Sequence, residues 1–154
     1  MLEILFEYRD RDVYLLHEFV VMPDHLHLMI TPKTSLEKAM QFIKGGSSHR
    51  IGKLRGRKSD VWQVGFHDWT IRDPDDWRAK VQCIQENPVR AKLVEKAADW
   101  PYSSATGRFL LDEPEKFHKL SSGAKAQEGS ALTLGLKPQP PKEKAAAAAK
   151  AAKS

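Results

Sequence analysis

The sequence predicts an α+β fold, and three observations carry that prediction. Two apolar stretches joined by a Pro23-Asp24 pair have strand character, a long segment further on repeats its apolar residues at helical spacing, and a second helix is announced by its capping residues.

In chain order, residues 1–8 form a short helical segment with Leu2, Leu5 and Phe6 on one side. Residues 14–22 are rich in Leu, Phe and Val and predict a strand. Pro23-Asp24 makes a tight turn, and 25–30 (HLHLMI) return as a second strand, antiparallel to the first. A helix follows, opened by Thr34 and Glu37 at capping-box spacing and carried by Leu36, Met40, Ile43, Ile51 and Leu54. Gly45-Gly46 predicts a bend or break in it, because glycine costs a helix interior about 1 kcal/mol against alanine. Residues 61–66 and 69–71 are short strands or an ordered loop. Asp73 is a good N-cap, Pro74 fits the first helical position, and Asp75 and Asp76 suit the positive end of the dipole. That helix runs to about residue 86, where Pro88 ends it.

Composition divides the chain near residue 105. Residues 1–105 hold the aliphatic periodicity and all four tryptophans, and form one domain-sized unit. Residues 106–154 contain SSGAKAQEGS, KPQPPKEK and AAAAAKAAKS, a low-complexity basic tail with little to bury, expected to be disordered from about 120. The net charge of +5 lies mostly there, nine Lys/Arg against five Asp/Glu. Within the first part, 44–58 carries Lys44, Arg50, Lys53, Arg55, Arg57 and Lys58 without an acid, which is either a solvated charge run or a phosphate-binding stretch. The single cysteine, Cys83, excludes an internal disulfide and a multi-cysteine zinc site. No apolar run approaches the ~18 residues of a membrane span and no secretory leader is visible, so the expected location is cytoplasmic.

Two constellations carry chemistry. His25 and His27 stand two apart on a strand, so both imidazoles project from one face and could grip a divalent metal. Taken alone, they are better read as two ordinary strand histidines, one satisfied by a hydrogen bond and one by solvent. On the second helix, Trp77, Val81 and Ile84 form an apolar stripe, while Asp76, Lys80, Cys83 and Asn87 fall on another face.

These features sit in a longer succession: FVVMPDHLHLMI, SLEKAMQFIKGG, VWQVGFHDWTIR, IQENPVRAKLV and WPYSS. The succession resembles the REP-associated tyrosine transposases, single-tyrosine HUH proteins related to the transposases of small insertion sequences. The resemblance covers residues 1–105 and implies a ferredoxin-like or RRM-like domain with the His-hydrophobe-His motif on a central strand of an antiparallel sheet. It implies Mg²⁺ or Mn²⁺ held by His25 and His27, with Asn87 as the third ligand. It also implies a DNA partner, single-stranded or hairpin, contacted by Lys44, Arg50, Lys53, Arg55, Arg57, Lys58 and Arg90, with Trp62 as an aromatic face. Family members work as monomers or homodimers, and nothing in the sequence separates the two.

Two departures follow. The family's Tyr-Ile-x-x-Asn-Pro is here Cys83-Ile84-Gln85-Glu86-Asn87-Pro88, so the position of the nucleophile is Cys83. Tyr8, Tyr14 and Tyr102 do not match that position, and Tyr102 is expected to be a packing residue. Only 22 residues precede Pro23, which predicts a missing first strand and an unpaired sheet edge. The expected activity is metal-assisted cleavage and rejoining of DNA; the alternatives are an inactive DNA-binding relative and a small α+β domain unrelated to nucleic acid.

Overall fold

The computed structural model describes residues 1–56, 61–114 and 131–138. The elements are α1 (Leu2–Asp10), β1 (Tyr14–Val21), β2 (Leu26–Pro32), α2 (Leu36–Arg55), β3 (His67–Thr70), α3 (Pro74–Gln85), the single turn α4 (Asn87–Arg90) and β4 (Leu132–Leu136). The strands make one antiparallel sheet in the order β1-β2-β4-β3, the α+β architecture with a central antiparallel sheet that the sequence predicts.

Sheet order decides what holds the domain together. β2 and β3 are both antiparallel to β4, hence parallel to each other, and the crossover through α2 leaves them one strand apart. With neighbouring strands ~4.8 Å apart, that gap has room for one strand. β4 fills it, pairing with β2 from Leu26 to Ile30. This corrects the expected domain boundary at residue 105 and the expected tail. Leu132, Leu134 and Leu136 alternate inward and are buried in the main core, each contributing about 1.5–3 kcal/mol by apolar burial. The remainder of the stretch assigned to the tail, 115–130 and 139–154, lies outside the described residues.

Residues just past 105 also belong to the domain. Asp112 accepts from the Leu16 amide at 2.8 Å and from Nε and Nη2 of Arg9 at 2.8 and 2.7 Å. Phe109 stacks on Phe6 and meets Phe19 edge-on. Ser103 and Ser104 lie buried against β1, where the Phe19 amide donates to Ser104 Oγ.

α1 and α2 cover one face of the sheet, over a core built on Leu5, Tyr14, Leu16, Phe19, Leu28, Ile30, Met40 and Ile43. α2 runs unbroken through Gly45-Gly46, against expectation. A Cβ at Gly46 would lie 2.9 Å from the Tyr8 ring and 3.2 Å from Ile4, so the glycine serves the close approach of α1, and packing outweighs its weak helix propensity. The N-cap is Ser35, whose Oγ accepts from the Lys38 amide at 3.2 Å, rather than the predicted Thr34. α3 covers the other face, with Ile84 buried and Trp77 and Val81 packed against Val20, Met22, Met29 and Ile71. Its cap is the one predicted: Asp73 accepts from the Asp76 amide at 2.8 Å. Pro88 does not stop the chain from turning; it is buried at the start of α4, which follows α3 directly.

If β4 is a core strand, Leu134→Ala costs about 2–5 kcal/mol of unfolding free energy, read from urea denaturation. Leu110→Ala, at a residue 84% exposed, changes it by less than about 0.5 kcal/mol. Equal small effects from the two variants contradict the placement of β4.

Candidate nucleic-acid and metal site

β2 alternates as the sequence predicts: Leu26 and Leu28 enter the main core while His27 faces the α3 side. His25 precedes the first residue of β2, and its backbone carbonyl accepts from the Met22 amide, closing the turn. The two rings are adjacent, centroids 4.9 Å apart and planes at 81°.

His25 Nδ1 lies 2.6 Å from Asp24 Oδ1. Metal-ligating histidines commonly have such a partner, because it fixes the tautomer and turns the other nitrogen outward. Burial, and then the neighbouring His25, push the His27 pKa down to about 4, with Arg90 and Lys137 adding to the effect. His27 is therefore neutral near pH 7, the form that binds metal. Gly135 lies directly across from His27, and an added Cβ there would touch the ring at 3.6 Å, an ordinary contact.

On α3 and α4, Cys83 is exposed, and its backbone carbonyl accepts from Asn87 Nδ2 at 2.8 Å and from the Arg90 guanidinium at 2.6 Å. The committed nitrogen leaves the Asn87 amide oxygen as the atom it could offer a metal. Among the described residues no third His, Cys, Asp or Glu joins the histidines in a metal-binding group. Two adjacent imidazoles suit a divalent ion whose remaining positions come from an amide, water or phosphate oxygens.

The other proposed DNA contacts are placed elsewhere. Lys44 Nζ donates to the carbonyls of Gln63 and Gly65 at 2.6 and 3.0 Å, fastening that loop. Arg50 is paired with Glu3 and Glu7 of α1. Both belong to α2, on the face of the sheet away from the histidines. Lys53 and Arg55 are exposed at the end of α2; Arg57 and Lys58 lie outside the described residues. Trp62 is half-buried against the main core and donates to Ser47 Oγ at 2.7 Å, so it is not an exposed stacking face. An exposed aromatic is found instead at Trp69 on β3, 46% exposed, with Lys80 Nζ 4.5 Å and the Arg72 guanidinium 5.0 Å from its ring centre and Asp76 accepting from its indole N–H. Sequence reasoning missed it, although period two from His67 placed both residues on one face. Of the tyrosines, Tyr14 is buried and donates to the Leu5 carbonyl, with burial raising its pKa far up. Tyr8 stacks on Phe42. Tyr102, expected to be a packing residue, is half-exposed and touches Trp100 edge-on.

His27 on β2 and His25 just before it thus lie side by side, and α3, which carries Cys83, packs on the sheet beside them. A family profile described as "Transposase IS200 like" matches residues 1–79. A REP-associated tyrosine transposase of Escherichia coli (strain K12) is 31% identical over 112 residues, 68% of this chain and 64% of the relative. A putative REP-associated tyrosine transposase of Haemophilus influenzae (strain ATCC 51907 / DSM 11121 / KW20 / Rd) is 31% identical over 96 residues, 54% of each chain. The chain thus spans less than two thirds of the length of either relative. A solved structure of the REP-associated tyrosine transposase bound to a REP hairpin superposes with a TM-score of 0.57 and 24% identity, covering 81% of this chain and 78% of that one, a likeness of fold. The chain belongs to the IS200-like transposase family.

The depressed pKa of His27 has a measurable consequence. An unfolded imidazole titrates near pH 6.5, so between about pH 6.5 and about 4 the unfolded chain takes up a proton that folded His27 refuses. Stability therefore falls as pH drops through that window. His27→Gln is expected to lose this part of the fall in thermal melts compared at about pH 7 and about pH 5; an acid-side loss equal to that of the native chain contradicts the assignment.

Proposed function

We propose that the chain binds hairpin or single-stranded DNA on the face that carries His25 and His27, with Mg²⁺ or Mn²⁺ between the imidazoles and a backbone phosphate. The observation that carries this reading is the adjacency of the two imidazoles, His27 on β2 and His25 just before it, on the same side of the sheet as α3. Family membership supports it, as does the REP hairpin bound by the structural relative. In this reading His25 and His27 are the metal ligands and Asn87 completes the set. When bound, the metal supplies charge neutralisation on the phosphate oxygens and holds them for in-line attack.

Cys83 decides how far the chemistry goes. It stands where the family places its tyrosine, exposed on α3. A thiolate can attack phosphorus, but a cysteine sulfur lies one bond beyond Cβ, whereas a phenol oxygen lies at the far end of a ring. The sulfur falls several ångströms short, and a misplacement of ~1 Å already costs about 100-fold. The chain is accordingly a DNA-binding member of the family whose strand cleavage is weak or lost at the nucleophile.

The test uses the native chain, Cys83→Tyr and Cys83→Tyr/His27→Ala with an end-labelled hairpin DNA bearing a single-stranded tail, in Mn²⁺. Expected are binding by native chain and Cys83→Tyr alike, cleavage at least ~100-fold faster for Cys83→Tyr, and loss of that cleavage with His27→Ala. Native cleavage at the rate of the tyrosine variant overturns the loss of chemistry. Binding by neither overturns the whole reading.

A further inference from the structure

We propose that Lys137, directly after β4, is a phosphate-binding residue of the DNA-binding face, so that the C-terminal strand supplies part of the site as well as part of the sheet. The inference rests on the DNA-binding reading above and adds a contact outside the motifs that define the family resemblance.

The position of Lys137 follows from the strand register. β4 pairs with β2 so that Leu136 faces Leu26 and Gly135 faces His27; one step further along, Lys137 comes level with His25. Strand alternation then sorts the side chains. Leu132, Leu134 and Leu136 enter the main core, whereas Gly135 and Lys137 belong to the side of His25 and His27. Across β4, His67 pairs with Gly135 in the same row. The row therefore runs from the histidine pair over a residue without a side chain to His67, with the ammonium of Lys137 beside it.

The backbone there is held on both sides. The Gln63 amide donates to the Lys137 carbonyl at 2.9 Å, and Trp62 forms a bridge with Pro138. The side chain is exposed at the rim of a shallow recess whose walls include Gln63, Gly65, His67 and Gly135. The carboxylate nearby, Asp24, is already held by His25. An exposed lysine level with the histidine pair suits a polyanion laid across the sheet, its phosphates meeting the ammonium as point charges.

A phosphate contact is independent of base sequence, so the probe need not be the natural target: a fluorescently labelled DNA hairpin with a single-stranded tail is titrated with the native chain, Lys137→Ala, Lys137→Arg and Lys38→Ala in Mn²⁺ across a series of salt concentrations. Lys38 lies on α2, on the other face of the sheet, and serves as the control. Lys137→Ala is expected to keep the native melting temperature, to bind several-fold more weakly at low salt, and to lower the slope of log K against log salt by about one. Lys137→Arg and Lys38→Ala should retain native slopes. A native slope for Lys137→Ala while the native chain binds overturns this inference and leaves the DNA-binding reading standing, as does a Lys137→Arg variant as weak as the alanine. Absence of binding by the native chain itself removes both.

Discussion

The structure depends on one constraint, the strand-wide gap between β2 and β3. The crossover from β2 through α2 returns to β3 one position away, and an open slot there would leave two rows of backbone donors and acceptors unpaired in the middle of the sheet. Unpaired buried backbone groups cost about as much as lost hydrogen bonds, and the core beneath would lose the leucines that close it. β4 satisfies both demands: its backbone pairs with both neighbours, and Leu132, Leu134 and Leu136 complete the main core.

The same strand reaches the chemistry. Gly135 stands directly across from His27, so the histidine motif and the strand paired with it lie more than a hundred residues apart in sequence. α3 approaches the same face from above, held by its apolar stripe and by Gln85, whose amide donates to buried Glu18 at 3.2 Å. Burial raises the pKa of that carboxyl, while Ser104 and Gln85 act to lower it.

Much of this was legible in the sequence because it is local. The alternation of HLHLMI fixes which side chains share a face, and the Asp73-Pro74-Asp75-Asp76 start specifies a helix whose stripe packs as its spacing predicts. The failures share a physical cause, since each depends on a distant partner. Gly45-Gly46 reads as a helix break until Tyr8 is seen to need the space at Gly46. Lys44 and Arg50 read as a basic surface until the Gln63 and Gly65 carbonyls and the acids of α1 claim them. β4 is five residues long and set between low-complexity segments, so composition hid it; the alternation in LTLGL was its one local signal.

The central claim, that β4 is an inner strand of the folded chain, is tested most directly by amide hydrogen exchange on the full-length native protein. The account predicts that the amides of Leu132, Leu134 and Leu136 exchange as slowly as those of Leu28 and Ile30 in β2, opening only with global unfolding. Exchange of the β4 amides at the rate of unstructured chain, while β2 stays protected, would contradict it.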